Sequence, residues 1–179
     1  MPQTEDHLQT VGELVGDLRE LGLGPVLIGG MALVVLGSRR VTRDFDFVIA
    51  HPGERLGPAI DLFYDRGLEL VARLNDVGEV ISTISNRKVA AIRLRNDAPA
   101  SAYFFNPTTG LRVDLLFDFP LRAAILAEHA MRIKIRAHIF DIASEADLLR
   151  LKKIARAERS APGDAEDIAF LEARQKSSQ

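Results

Sequence analysis

Between Val26 and Ala50 the chain reads VLIGGMALVVLGSRRVTRDFDFVIA, and this stretch restricts the fold more than any other. Asp44-Phe45-Asp46-Phe47-Val48-Ile49 has the pattern of a β-strand, in which successive side chains point to opposite faces. Asp44 and Asp46 then share one face, and Phe45, Phe47 and Ile49 share the other. The apolar side has to pack on a core, which sets the strand in a sheet with one covered face. The other side carries two like charges at close spacing and needs a compensating cation. A divalent metal ion supplies one.

The rest of the composition narrows the possibilities. At 179 residues and 47% hydrophobic, the chain is expected to fold as a single domain spanning 1–179, with a core over about 8–143 and a helical part over about 144–175. A formal net charge of −2 gives no sign of a protein that coats nucleic acid. The absence of cysteine excludes disulfide scaffolds, thiolate zinc sites and thiol catalysis. The polar, acidic opening MPQTEDHLQT does not read as a signal peptide, and no apolar run reaches the ~18 residues of a membrane span. A soluble, cytoplasmic protein without a membrane partner is therefore expected.

Periodicity predicts the elements. Leu8, Val11, Leu14, Val15, Leu18 and Leu21 recur at helical spacing, and Gly22, Gly24 and Pro25 end that helix. Val26–Ile28 reads as a short buried strand, with Gly29-Gly30 turning into a helix of roughly 31–37. A second amphipathic helix is predicted over 54–66. Strand-like runs follow at 68–74, 89–95, 102–105 and 112–117, separated by Asn, Asp, Gly and Pro. Residues 120–130 suggest a helix and 132–142 a strand or hairpin. Ser144 reads as the N-cap of another helix; Ser160-Ala161-Pro162-Gly163 breaks it, and 164–174 forms the last. The expected class is α+β, a mixed and mostly antiparallel sheet with helices packed on it and C-terminal helices beyond.

Two further features bear on chemistry. In Leu111-Arg112-Val113-Asp114-Leu115-Leu116-Phe117, the apolar face formed by Val113, Leu115 and Phe117 leaves Asp114 on the opposite side. Two strands that each bury one side and carry acids on the other suit a two-metal phosphoryl-transfer site. Magnesium, which takes oxygen ligands and binds through few carboxylates plus substrate phosphates, is the ion that fits. Gly29 and Gly30, lacking side chains, let a phosphate approach the backbone at the start of a helix. Arg40 and Arg43 have two readings of equal weight, as substrate contacts or as partners of Asp44 and Asp46, and Thr42 reads as a local hydrogen-bonder. Lys152 is one charge on a helix that also carries Arg150, Lys153 and Arg156. The segment 131–159 holds eight basic residues against four acidic ones, a balance that an RNA acceptor and an ordinary solvated helix face explain almost equally well.

Gly-Gly, thirteen residues, then Asp-x-Asp resembles the signature of the nucleotidyltransferase superfamily with the DNA polymerase β-like fold. Within it, Arg40-Val41-Thr42-Arg43-Asp44-Phe45-Asp46 is similar to the R-x-T-x-D-h-D version of abortive-infection-type nucleotidyltransferase toxins and minimal nucleotidyltransferase-like proteins. Glu145-Ala146-Asp147-Leu148-Leu149-Arg150-Leu151-Lys152 resembles that group's E-D-L-h-x-x-K helix, and Arg159 with Asp164–Ile168 its R…K-D-x-x-D-I segment. The resemblance implies transfer of a nucleoside monophosphate from an NTP to a hydroxyl, with Asp44, Asp46 and Asp114 as catalytic residues and ligands of two Mg²⁺ ions. It implies further that Gly29, Gly30, Arg40, Thr42, Arg43 and Lys152 bind the nucleotide. The acceptors implied are a tRNA end or a protein, with a cognate toxin or antitoxin as partner. A small antibiotic-modifying nucleotidyltransferase and a non-catalytic nucleotide- or partner-binding module are the alternatives. One departure stands out: Gly163 occupies the position of the group's lysine.

Overall fold

The computed structural model describes residues 2–158 and 163–179. The expected helix break at Ser160–Pro162 and the motif residue Arg159 lie outside them. Helix α1 (Pro2–Glu20) opens the chain, followed by β1 (Val26–Ile28), α2 (Gly29–Val35) and β2 (Asp44–Ile49). A 3₁₀ turn leads into α3 (Leu56–Tyr64), and then come β3 (Glu69–Leu74), β4 (Val80–Ile84), α4 (Arg87–Asp97), β5 (Ser101–Phe105) and β6 (Arg112–Phe117). Helix α5 (Ala123–His129), the hairpin β7 (Met131–Ile135) and β8 (His138–Ile142), and helices α6 (Glu145–Glu158) and α7 (Asp164–Ser177) complete it.

The eight strands form one sheet in the order β4-β3-β5-β6-β2-β1-β8-β7. Five pairings are antiparallel and two, β1 with β8 and β2 with β6, are parallel. The α+β class with a mixed, mostly antiparallel sheet is as the sequence led us to expect.

One face of this sheet is the core. Phe47, Ile49, Phe104, Val113 and Leu115 are buried on it, and Phe104 stacks on Phe63 of α3 with ring centroids 4.1 Å apart. Val11, Leu14, Val15 and Leu18 of α1 are also almost fully buried, as their spacing requires. The opposite face carries Asp44, Asp46 and Asp114.

Two sequence expectations fail between Leu68 and Phe105. Residues 89–95, predicted as a strand, lie in α4, whose buried residues Ala90, Ala91 and Leu94 have helical spacing. Asn86 caps the helix, its side chain accepting from the N–H groups of Lys88 (2.9 Å) and Val89 (3.2 Å). A short apolar run does not separate strand from helix by period alone; the cap and the two alanines decide for helix. Strand β4 was not anticipated, because Val80–Ile84 lies at the sheet edge with no fully buried face to impose alternation.

Candidate active site

Strands β2 and β6 place the acidic residues. β2 and β6 run parallel with Asp46 opposite Asp114 and Asp44 opposite Arg112. Residues paired across a ladder point to the same side, so the three carboxylates share the sheet face away from the core. Asp114, expected from the sequence to join the Asp44–Asp46 pair, stands in register with Asp46 on the same sheet face.

Electrostatics follow from that crowding. Burial, then the neighbouring carboxylates of Asp46 and Asp44, push Asp114 up to about 7. Its Oδ1 is buried and has no hydrogen-bond partner among the described residues. Asp44 is differently placed, since its Oδ1 accepts a hydrogen bond from the Tyr103 hydroxyl at 3.3 Å. Burial and then the nearby Asp44 raise the Tyr103 phenol to about 12, so it stays protonated and donates.

Among the described residues no three His, Cys, Asp or Glu side chains are grouped so as to hold a metal ion as they stand, yet the chemistry of the carboxylates fits a divalent cation. An orphaned buried carboxylate oxygen beside two further carboxylates calls for positive charge, and an all-oxygen donor set suits magnesium.

The glycine pair lies against this cluster. Gly29 has φ +72°, and a Cβ added to it would lie 2.4 Å from Asp46 Oδ2. A Cβ on Gly30 would meet Arg40 Cζ at 2.9 Å and Thr42 Oγ1 at 3.2 Å. The bend, Asp46, Arg40 and Thr42 therefore form one continuous surface that only glycine permits. Helix α2 has just seven residues, so close backbone approach matters more here than a helix dipole.

Arg40 and Lys152 are joined through α7. Both pair with Asp167, Lys152 at 3.0 Å, and Lys152 also reaches Asp164 at 3.7 Å. Asp164 and Asp167 are themselves buried. Arg40 thus finds an anion in Asp167, and its Nε, beside Gly30, has no hydrogen-bond partner among the described residues. Gly163, at φ +91°, caps α7, and among the described residues nothing lies within 4 Å of where its Cβ would stand.

Arg43 goes elsewhere. It pairs with Glu79 at 3.1 Å, in the loop between β3 and β4. The structure therefore groups Gly29, Gly30, Arg40, Thr42 and Lys152 on one side of the carboxylates and sets Arg43 apart from them. Three of the basic residues of 131–158 turn to separate acidic partners. Lys152 points inward to Asp164 and Asp167, Lys153 pairs with Glu172, and Arg132 pairs with Asp141 on the edge hairpin.

Sequence reasoning missed Tyr103, Arg112 and Glu79. Arg112 Nη1 donates to the Tyr103 oxygen at 3.3 Å and Nη2 to Glu79 Oε2 at 2.8 Å. Arg112 has the same strand parity as Asp114, a signal that was legible; Tyr103 and Glu79 are revealed only by the pairing of β5 with β6 and by the β3–β4 loop.

No protein-family model and no curated protein sequence matches the chain. Solved structures do. An antigenic nucleotidyltransferase-like protein from Paracoccidioides brasiliensis superposes with a TM-score of 0.57 at 16% identity, over 93% of this chain and 75% of that one. The lincosamide antibiotic adenylyltransferase LnuA, with lincomycin bound, gives 0.56 at 11% identity, over 92% and 95% of the two chains. The antibiotic-resistance factor ANT(2'')-Ia gives 0.56 at 14% identity, over 99% and 94%. These likenesses establish a nucleotidyltransferase fold.

Proposed function

We propose that this nucleotidyltransferase fold carries a magnesium-dependent, cytoplasmic enzyme that moves a nucleoside monophosphate from an NTP to a hydroxyl of a macromolecular acceptor. The observation that carries this reading is the register of Asp46 with Asp114, with an orphaned Asp114 oxygen at its centre and the glycine bend against Asp46. The toxin-like resemblance of Arg40–Asp46 favours a tRNA end as acceptor, with a protein hydroxyl second. It also suggests a toxin–antitoxin or phage-defence setting with a cognate partner.

Asp44, Asp46 and Asp114 are the residues to hold magnesium, which supplies Lewis acidity and neutralises phosphate charge when bound. The chain's own groups account for the rest. Gly29 and Gly30 let Asp46, Arg40 and Thr42 close on the bare backbone, where the β- and γ-phosphates would bind with Arg40, Thr42 and Lys152 as hydrogen-bond and charge partners. Asp167 fixes Arg40 and Lys152 relative to one another, which orients both cations before substrate arrives. Tyr103 holds Asp44 by its Oδ1. Asp114, in register with Asp46 on the same sheet face, is the carboxylate that would take the proton of the attacking hydroxyl.

A second reading has its own support. The chain covers LnuA and the antibiotic-resistance factor ANT(2'')-Ia over more than nine-tenths of each, and LnuA holds lincomycin, so this fold at this length accommodates a small-molecule acceptor. Labelled NTPs incubated with magnesium and, in turn, total tRNA, cell protein and a panel of aminoglycosides and lincosamides separate the readings. Label is expected in RNA, and Asp46→Ala is expected to abolish it. Label in the antibiotic alone would establish the second reading. No transfer to any acceptor, with NTP binding intact, would leave a nucleotide-binding module.

A further inference from the structure

Arg112 poses a problem of charge. Its side chain is only 9% exposed, and its guanidinium lies 5.6 Å from the Phe105 ring centroid, on the same sheet face as the three carboxylates. A guanidinium cannot be deprotonated to escape burial and needs an anion. The carboxylate it pairs with does not come from the sheet. It is Glu79, half-exposed in the β3–β4 loop, whose Oε2 accepts from Arg112 at 2.8 Å while its Oε1 accepts from Arg43 at 3.1 Å. That loop is closed by its own bonds, the Asn75 side chain accepting from the N–H groups of Val77 and Glu79. One surface carboxylate is thus held by two arginines, one oxygen to each.

We propose that Arg112 and Arg43 form a phosphate-binding subsite for the acceptor strand, and that Glu79 holds the place of that phosphate in the free protein. Two guanidinia that grip the two oxygens of a carboxylate can grip two non-bridging oxygens of a phosphodiester in the same way. Position assigns the phosphate to the acceptor. The glycine bend, with Arg40 and Lys152, adjoins β1; Arg112 stands on β6, and β2 with its aspartates lies between. A single hydroxyl, that of Tyr103, links Arg112 to Asp44, so the bound phosphate would lie next to the reacting centre. The ligand class is single-stranded RNA bearing a phosphodiester close to its attacking hydroxyl. The RNA class of the ligand and its direction of approach rest on the nucleotidyl-transfer reading with its tRNA acceptor; the oxyanion subsite itself does not.

Binding of a short fluorescein-labelled single-stranded RNA, followed by anisotropy without NTP, tests this. Glu79→Gln removes the competing charge and is expected to tighten RNA binding about threefold to tenfold. Arg43→Gln, at an exposed position that does not endanger folding, is expected to weaken it and to lower the slope of log K against log salt by about one. Asp46→Ala is expected to bind RNA at least as well as the wild type. Unchanged or weaker RNA binding by Glu79→Gln would overturn the proposal. So would an effect of these variants on ATP affinity in place of RNA affinity, or equal competition by a polyglutamate peptide. Because no turnover is read, RNA binding through this subsite by a protein that transfers nothing would sink the enzyme reading alone.

Discussion

Gly29 and Asp46 are in such close contact that a methyl group on Gly29 would lie 2.4 Å from Asp46 Oδ2, at a φ of +72° that side chains rarely adopt. The bend and the carboxylate therefore depend on one another. Gly29→Ala is expected to cost about 1–3 kcal/mol in chemical denaturation, from backbone strain and the forced shift of Asp46. It should also remove most transfer activity, because the carboxylate it displaces is a metal ligand in the proposed mechanism. A variant with full activity would show that Asp46 has no fixed position to lose.

Asp114 makes the metal-free protein sensitive to pH. Its value in the folded state, about 7, lies above the ordinary 3.8. Between those values the folded protein keeps a proton that the unfolded chain releases, so this contribution to stability is complete below about 3.8 and is lost as pH rises through about 7. Thermal unfolding without metal should therefore show falling stability across that window. Magnesium competes with the proton, so its stabilising effect should grow as pH rises through about 7. Asp114→Asn should flatten the metal-free trend and remove most of the magnesium effect.

Asp167 holds two cations from different elements, Arg40 and Lys152, while itself nearly buried. Asp167→Ala leaves both without that partner. Partial exposure of Arg40 softens the cost, which is expected at about 2–3 kcal/mol by urea denaturation. The KM for NTP should rise in the same variant, since the two cations lose their common anchor. Unchanged KM in a destabilised protein would restrict Asp167 to packing.

Tyr103→Phe deletes the hydroxyl that donates to Asp44 and accepts from Arg112. A hydrogen bond to a charged group is worth about 1.5 kcal/mol or more, so kcat/KM is expected to fall about tenfold. Magnesium affinity, measured by titration calorimetry, should fall with it, because Asp44 is then freer to turn from the cluster. Equal kinetics in the two proteins would remove Tyr103 from the positioning of Asp44.

Much of this site was legible in the sequence because strand alternation is a local property. Phe45, Phe47 and Ile49 had to face a core, so Asp44 and Asp46 had to face away, and the same reasoning selected Asp114 from Val113, Leu115 and Phe117. The helix over Arg87–Asp97 was not legible, since its apolar run is short and the Asn86 cap that starts it is a matter of backbone geometry. Arg40 and Arg43 could not be told apart either. Their partners, Asp167 and Glu79, are far away in sequence, and tertiary packing alone sends one to the glycine bend and the other to the β3–β4 loop. The Tyr103–Arg112–Glu79 chain was hidden for the same reason, as it requires knowing which strands pair.

The most direct measurement compares two labels on the same NTP, one at the α-phosphate and one at the γ-phosphate, with magnesium and total tRNA. The α-label should appear in the acceptor and the γ-label in free pyrophosphate, and Asp114→Asn should abolish both signals while the protein remains folded. Transfer of the γ-label to the acceptor, or α-label transfer undiminished in Asp114→Asn, would contradict the three-carboxylate centre.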